Sequence, residues 1–490
     1  MKLIWLGLLL LSSTVRAADF AFTPTLQQAY TDILKLNVST GRQALSGELA
    51  RRNGVAVYLD NYADMVTLLV TDDRQLFDRF SPRQDQRLDL LQDMDENSPW
   101  QRFAQAEIRL QWAFVKLKFG EEVSACWDII RSYKLLEENR RRFPGFVPNE
   151  KSLGVLHILI GSVPENYTWV ARLLGLRGSV REGMRELQNV VQKDPLYRTE
   201  ARLFDLLARA FILKFTPADA EQVKRLVAEN PDNLTLHFFG ARMLMKDGRS
   251  EEALQILQRQ PAGPSYMPLA FLDYMKGEIA IQKGAYPQAL TYYKAFLNRY
   301  KGRNFLKDTY YKQFLCYWLS NDDQRAAPLI RQVMQTGATV VEADKAAQKF
   351  AETYSRKGYS ANQKIIMKAR LATDGGYLDS ALNALRPYSE ASFTLPAEKA
   401  EFMYRKGRIF QRRGEIDAAI PLYERAIALS QTSQLAYGAT SALQLGYIFQ
   451  QKRNPALARQ YFKKALSYKK HEYKNSIDNK AKAALNELGE

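Results

Sequence analysis

Five arginines stand in the same local setting along this 490-residue chain, each behind a small residue and ahead of apolar ones. The words are Ala171-Arg172-Leu173-Leu174, Ala208-Arg209-Ala210-Phe211, Ala241-Arg242-Met243-Leu244, Ala369-Arg370-Leu371-Ala372 and Gly407-Arg408-Ile409-Phe410. A guanidinium is a planar fork that grips a carboxylate through two parallel hydrogen bonds and stacks on aromatic faces. That is chemistry of recognition. Residues for bond-breaking chemistry are scarce. The histidines are His157, His237 and His471, and the cysteines are Cys126 and Cys316. No His-Glu-x-x-His, Gly-x-Ser-x-Gly or Gly-rich phosphate loop occurs. Acidic doublets such as Asp72-Asp73, Glu251-Glu252 and Asp322-Asp323 suit helix starts, where the dipole favours anions. The sequence therefore points to a protein that is not an enzyme and takes neither metal nor cofactor.

The arginine words recur at a spacing of roughly 33 to 40 residues, the period of stacked helical pairs. A single core stops growing at about 250–300 residues, so a chain of this length is either several domains or a solenoid, and the period selects the solenoid. The pattern is sharpest near the C-terminus. Gly407, Phe410, Gly414, Ala419, Tyr423 and Ala426 fall at offsets 0, 3, 7, 12, 16 and 19, and Gly446, Phe449, Ala458, Phe462 and Ala465 repeat them. Gly277, Gly284, Ala289 and Tyr293 form an earlier copy. Small residues let antiparallel helices approach, and large ones such as Phe410 and Tyr423 are expected to fill the space between neighbouring pairs. Gly248, Gly284 and Gly414 sit at the turns, where positive φ costs glycine little.

At these offsets the chain resembles the tetratricopeptide repeat family. The resemblance implies an all-α, right-handed superhelix of about eight units, anchored at Ala171, Ala208, Ala241, Gly277, Leu315, Ala369, Gly407 and Gly446. In this family the first helix of each pair lines the concave groove, with its fifth, ninth, twelfth and thirteenth positions toward the ligand. Matching positions makes the ninth Arg172, Arg209, Arg242, Arg370 and Arg408, and the fifth Phe238, Tyr274 and Tyr404. These eight residues are the expected partner-binding set, a ladder of guanidinium groups interleaved with rings. The alternative is that the arginines pair with acids on neighbouring repeats. The overall texture resembles tetratricopeptide proteins exported by Bacteroidetes-type bacteria. The stretch from Leu173 to Gly178, with Gly183, is similar to a eukaryotic tetratricopeptide family of the mitochondrial outer membrane.

The ends and the irregular stretches complete the division. Residues 1–17, with Lys2, an apolar run from Leu3 to Leu11 and Val15-Arg16-Ala17, read as a secretory signal. Residues 18–148 read as a less regular helical region, 149–474 as the array of helical pairs and 475–490 as a polar capping helix. Pro144-Gly145-Phe146-Val147-Pro148 is the candidate joint, and an extra helix is expected from about Val340 to Tyr354. The two cysteines are expected to be buried free thiols. No cysteine follows the signal, so no lipid anchor is expected, and no later stretch reaches the roughly 18 apolar residues of a membrane span.

The net charge is +17, from 70 Lys and Arg against 53 Asp and Glu. Such a charge attracts anionic partners over distance. Export disfavours nucleic acid and leaves acidic proteins, anionic glycans or a membrane surface. The basic C-terminal stretch from Lys452 to Lys474 could contact a membrane or polymer, or simply be a solvated helix face. The expected function is a periplasmic or secreted scaffold that grips an extended or acidic segment of another envelope protein. The alternative is a glycan-binding module of an outer-membrane uptake system.

Overall fold

The computed structural model describes residues 20–163, 174–358, 360–431, 435–471 and 473–489. The expected signal, residues 1–17, and Arg172 lie outside the described residues. Within them the chain is all-helical with no strand. Local chemistry sets many of the helix ends. Thr216 and Asp219 form a reciprocal capping box ahead of Pro217–Glu229, with Pro217 at the first helical position. Ser360 and Gln363 do the same for Ala361–Gly375. Gly284 closes Phe271–Lys283 in the left-handed conformation.

Pairs of antiparallel helices stack through small residues. At Gly407 an added Cβ would lie 3.0 Å from the Tyr423 ring, at Gly277 2.7 Å from Tyr293, and at Gly446 2.4 Å from Phe462. The aromatic at offset 16 thus covers the glycine of its own pair, where the sequence placed it between neighbouring pairs. Gly154 and Gly183 mark an equally close crossing of Pro148–Gly161 with Val180–Lys193, where a Cβ on Gly183 would meet the Gly154 carbonyl at 2.3 Å.

One hydrophobic core runs from Leu26 to Leu371, and it continues across the Pro144–Pro148 segment. Two smaller cores follow, one holding Ile366, Phe393 and Phe402, the other Tyr423, Phe462 and Leu485. The extra helix is Glu342–Lys357. Its Asp344 carboxylate accepts from the backbone N–H of Phe305 at 2.6 Å and Asp308 at 3.0 Å, so it caps the start of Leu306–Leu319 from a different element. Lys474–Glu487 covers the last repeat with Ile477, Ala481, Ala484 and Leu485.

The N-terminal helices turn back onto the repeats and close a ring. Asp72 ends Gly54–Thr71 in the left-handed conformation, at φ 54°, and is 2% exposed. Its carboxylate accepts from the Tyr300 hydroxyl at 2.6 Å, the Arg303 and Asn304 N–H groups at 3.1 and 3.0 Å, and Asn304 Nδ2 at 3.1 Å. Lys35 pairs with Asp232 at 2.6 Å, and the Met267 N–H donates to the Leu36 carbonyl at 2.9 Å. A second closure joins later turns of the coil. Arg412 donates to the carbonyls of Thr373, Asp247 and Gly248, and Ala361–Gly375 packs on Phe271–Lys283.

Cys316 is buried, but Cys126 is exposed, which corrects the expectation of two buried thiols. Glu122–Arg142 turns Ala125, Ile130 and Leu136 inward, which leaves Cys126 and Trp127 on the opposite face.

Two outcomes test this packing. Gly446→Ala should destabilise by about 1–3 kcal/mol through overpacking against Phe462, whereas Gly47→Ala, open to solvent in a helix interior, should stabilise by about 0.5–1 kcal/mol. Asp72→Asn keeps a side chain that tolerates the left-handed backbone and should cost about 2 kcal/mol, because hydrogen bonds to a charged acceptor contribute more than neutral ones. Urea unfolding of each variant reads both.

Candidate functional site

The ring encloses a partly open lumen of about 520 Å³, lined by helices from both ends of the closure. Its wall is mainly apolar, with Val66, Phe114, Val155, Phe204, Phe238 and Phe239 among the lining side chains. Polar groups on the wall are engaged with one another. Lys151 lies 2.8 Å from Glu107 and 3.0 Å from Glu200, and all three are buried. Tyr30 and Tyr62 donate to Glu200 at 2.9 and 3.2 Å, and Ser152 donates to Glu107. Burial pulls the Lys151 ammonium down, but the two carboxylates more than offset this and hold its pKa above the ordinary value. Burial also pushes the Tyr30 and Tyr62 hydroxyls well up, with the Glu200 charge adding to it, so both stay protonated donors. A buried ion cluster is tolerated only when its members satisfy one another in this way.

The expected ladder divides between two places. Phe238, Arg242 and Tyr274 line the lumen. Tyr274 is buried and its hydroxyl donates to Asp308 at 2.5 Å. Arg242 reaches Glu278 only at 4.0 Å, and Glu278 is already held by Lys312 at 2.5 Å. Arg209 pairs with Asp205 at 2.7 Å and lies 3.6 Å from Asp219. Arg370 stands 3.8 Å from Asp374, one helical turn on. Tyr404 packs on Tyr423 and Tyr437.

Arg408 belongs to a second cluster, which sequence reading reached through this one residue. Its guanidinium donates to neutral amide oxygens, Gln411 at 2.8 Å and Gln444 at 2.9 Å. Arg412 is on the same helix, Pro396–Arg412, and burial followed by the Arg408 charge holds it below its ordinary pKa. Lys480, on the terminal helix, is lowered by burial and then by the like charges of Lys246 and Arg408. Among the described residues no carboxylate lies within ion-pair distance of Lys246, Arg408, Arg412 or Lys480. Four cations from three helices that are far apart in sequence therefore act on one another, and the acids that reach them, Asp247 and Asp374, do so at longer range without an ion pair. No spacing rule connects Lys246 with Lys480; only the coiling of the repeats does.

The one cluster with metal-ligand geometry among the described residues is His157, Glu182 and Glu186, whose ligand atoms lie within 4.8 Å of one another. Arg140 already sits in it, 3.2 Å from Glu186, 2.7 Å from Glu137 and 3.8 Å from Glu182. His157 Nδ1 is 2.7 Å from Glu186, and its Nε2 faces Glu137 at 3.6 Å. Burial lowers the imidazole pKa, but hydrogen bonds to Glu137 and Glu186 and the charges of Glu186 and Glu182 raise it to about 9. The cluster as built is an ion-pair network that joins three helices.

The fold and the packing of glycine on aromatic define a helical-repeat protein. Residues 398–470 match the family model of the tetratricopeptide repeat, and this segment of the chain is built of such repeats. No curated protein sequence matches the chain. Among solved structures it is similar to the apo form of the quorum sensor NprR from B. thuringiensis, at 13% identity and a TM-score of 0.32 over 83% of this chain and 98% of that one. It is also similar to yeast Tom70, at 12% identity and a TM-score of 0.24 over 94% of this chain and 88% of that one. Likeness this distant does not bear on function.

The His157 network sets a pH dependence. Its folded pKa of about 9 lies above the ordinary 6.5. Its stabilisation is therefore complete below pH ~6.5 and is lost as pH rises through ~9. The gap in thermal stability between the natural chain and His157→Gln should be widest near pH ~6 and narrow steadily as pH rises toward ~9. Calorimetry across that range reads it.

Proposed function

We propose that this chain is a non-catalytic scaffold of the cell envelope that binds an acidic, extended segment of a partner protein. The repeat fold supports the general role, since stacked helical pairs present a long curved surface on which many modest contacts add. The observation that carries the particular reading is that Lys246, Arg408, Arg412 and Lys480 act on one another and none of them holds a carboxylate in an ion pair, Asp247 and Asp374 acting only at longer range. Like charges gathered in one place are unfavourable in the free protein. A carboxylate-rich ligand removes that repulsion and gains charge-assisted hydrogen bonds. Arg370 and Tyr404 extend the same array, and Arg370 is held only by a long contact to an exposed acid. The envelope placement rests on residues 1–17 and their signal-like pattern.

Arg412 is less suited to testing because it stitches two turns of the coil through backbone carbonyls. Arg408 and Lys480 are better targets. Cross-linking in the producing cell should trap a protein with the natural chain. With Arg408→Ala and Lys480→Ala together, the yield should fall about tenfold or more, given about 1.5–3 kcal/mol for each hydrogen bond to a charged group. The trapped yield should also fall steeply with salt, as exposed charge pairs do. Unchanged trapping by the double variant overturns the reading. A ligand whose binding ignores ionic strength points to the neutral-glycan alternative.

A further inference from the structure

The lumen has a chemistry of its own, independent of the basic cluster. An apolar hollow of about 520 Å³ falls within the roughly 300–1,000 Å³ of small-molecule sites. Empty apolar space costs stability in proportion to its volume, and water gains little by entering it. The hollow is therefore suited to an apolar guest.

The wall also selects among apolar guests. A polypeptide brings an N–H and a C=O with every residue, and these need partners when buried. The wall offers few. Glu107, Glu200, Lys151 and Ser152 are occupied by one another, and Tyr274 is committed to Asp308. An acyl chain carries no polar group along its length, so the same wall suits it. One group on the wall is available for a polar end. The Arg242 side chain lines the lumen and is 39% exposed, and its single acid at 4.0 Å is engaged by Lys312. A guanidinium in this position suits a carboxylate through its fork. Of the other two lining cations, Lys151 is held by Glu107 and Glu200, and Lys118 donates to the Leu69 carbonyl at 2.6 Å and lies over the Phe271 ring, so both are already placed.

We propose that the lumen binds one long-chain fatty acid, with its acyl chain along the wall of Val66, Val155, Phe204 and Phe238 and its carboxylate on Arg242. This stands apart from the scaffold reading, because neither Arg408 nor Lys480 lines the lumen.

The test uses the purified full-length chain, stripped of lipid on a hydrophobic resin, and the fluorescent fatty acid cis-parinaric acid. Saturable binding of one probe per chain is expected, with displacement by palmitate and much weaker displacement by its methyl ester. Val155→Phe, which fills the lumen, should weaken probe binding about tenfold or more. Arg242→Gln, which leaves the apolar wall intact, should bring palmitate down to the affinity of the ester while Lys118→Gln leaves it unchanged. Arg408→Ala with Lys480→Ala should bind the probe normally, which separates this proposal from the basic cluster. If Val155→Phe does not fold by circular dichroism, the Arg242→Gln comparison decides. Absence of saturable binding overturns the proposal, as does equal affinity for acid and ester. It is equally overturned if an apolar peptide displaces the probe and palmitate does not.

Discussion

The architecture depends on one buried carboxylate. Asp72 ends an N-terminal helix and collects hydrogen bonds from Tyr300, Arg303 and Asn304, more than 220 residues away in the chain. An open stack of helical pairs has two free ends and a shallow groove. Tying the N-terminal helices to the turn before Leu306–Leu319 makes a ring, and a ring has an interior. A charged acceptor suits this task because its hydrogen bonds are stronger than neutral ones and its burial is tolerable only while all of them are made. The joint is therefore specific as well as strong. A chain end that arrived in another register would leave the carboxylate unpaired.

The two candidate surfaces follow from how the coil is closed at two levels. The first closure gathers apolar residues from helices distant in sequence and leaves Arg242 on the wall without a close ion pair. The second, through Arg412 on the Asp247 and Gly248 carbonyls, ties Pro396–Arg412 to the end of the helix that finishes at Lys246. Lys480, on the terminal helix, comes under the influence of Lys246 and Arg408. One surface is apolar with its ions internally balanced, and the other is cationic with no acid in an ion pair. They ask for different ligands, and the same solenoid can serve both because each repeat contacts only its neighbours and the crossing turns.

Much of the repeat geometry could be read directly. Gly407, Gly446 and Gly277 declared close helix approach, and the structure sets Tyr423, Phe462 and Tyr293 on them. The extra helix also lay where the pattern broke. The arginine ladder was legible as residues but not as an arrangement. Arg209 is held by Asp205 and Asp219, Arg242 and Phe238 face a lumen, and Arg408 joins a cluster whose other members follow no repeat. Cys126 misled because its apolar neighbours sit on a helix with one buried face and one exposed one. Lys151, Glu107 and Glu200 went unnoticed because a single charged residue inside a helical stripe looks like any solvated position until its partners are known.

What the sequence determined by itself is local: where helices start and stop, which residues are small enough for close crossing, and that the pairs repeat. These depend on contacts within one helical pair, over a few tens of residues, where spacing and residue type suffice. What only the tertiary structure decided is the closure of the ring, the lumen it encloses and the gathering of Lys246, Arg408, Arg412 and Lys480. Each depends on the small rotation from one repeat to the next summed along the coil, and on long-range joints such as those of Asp72 and Arg412. No local pattern encodes a sum of that kind.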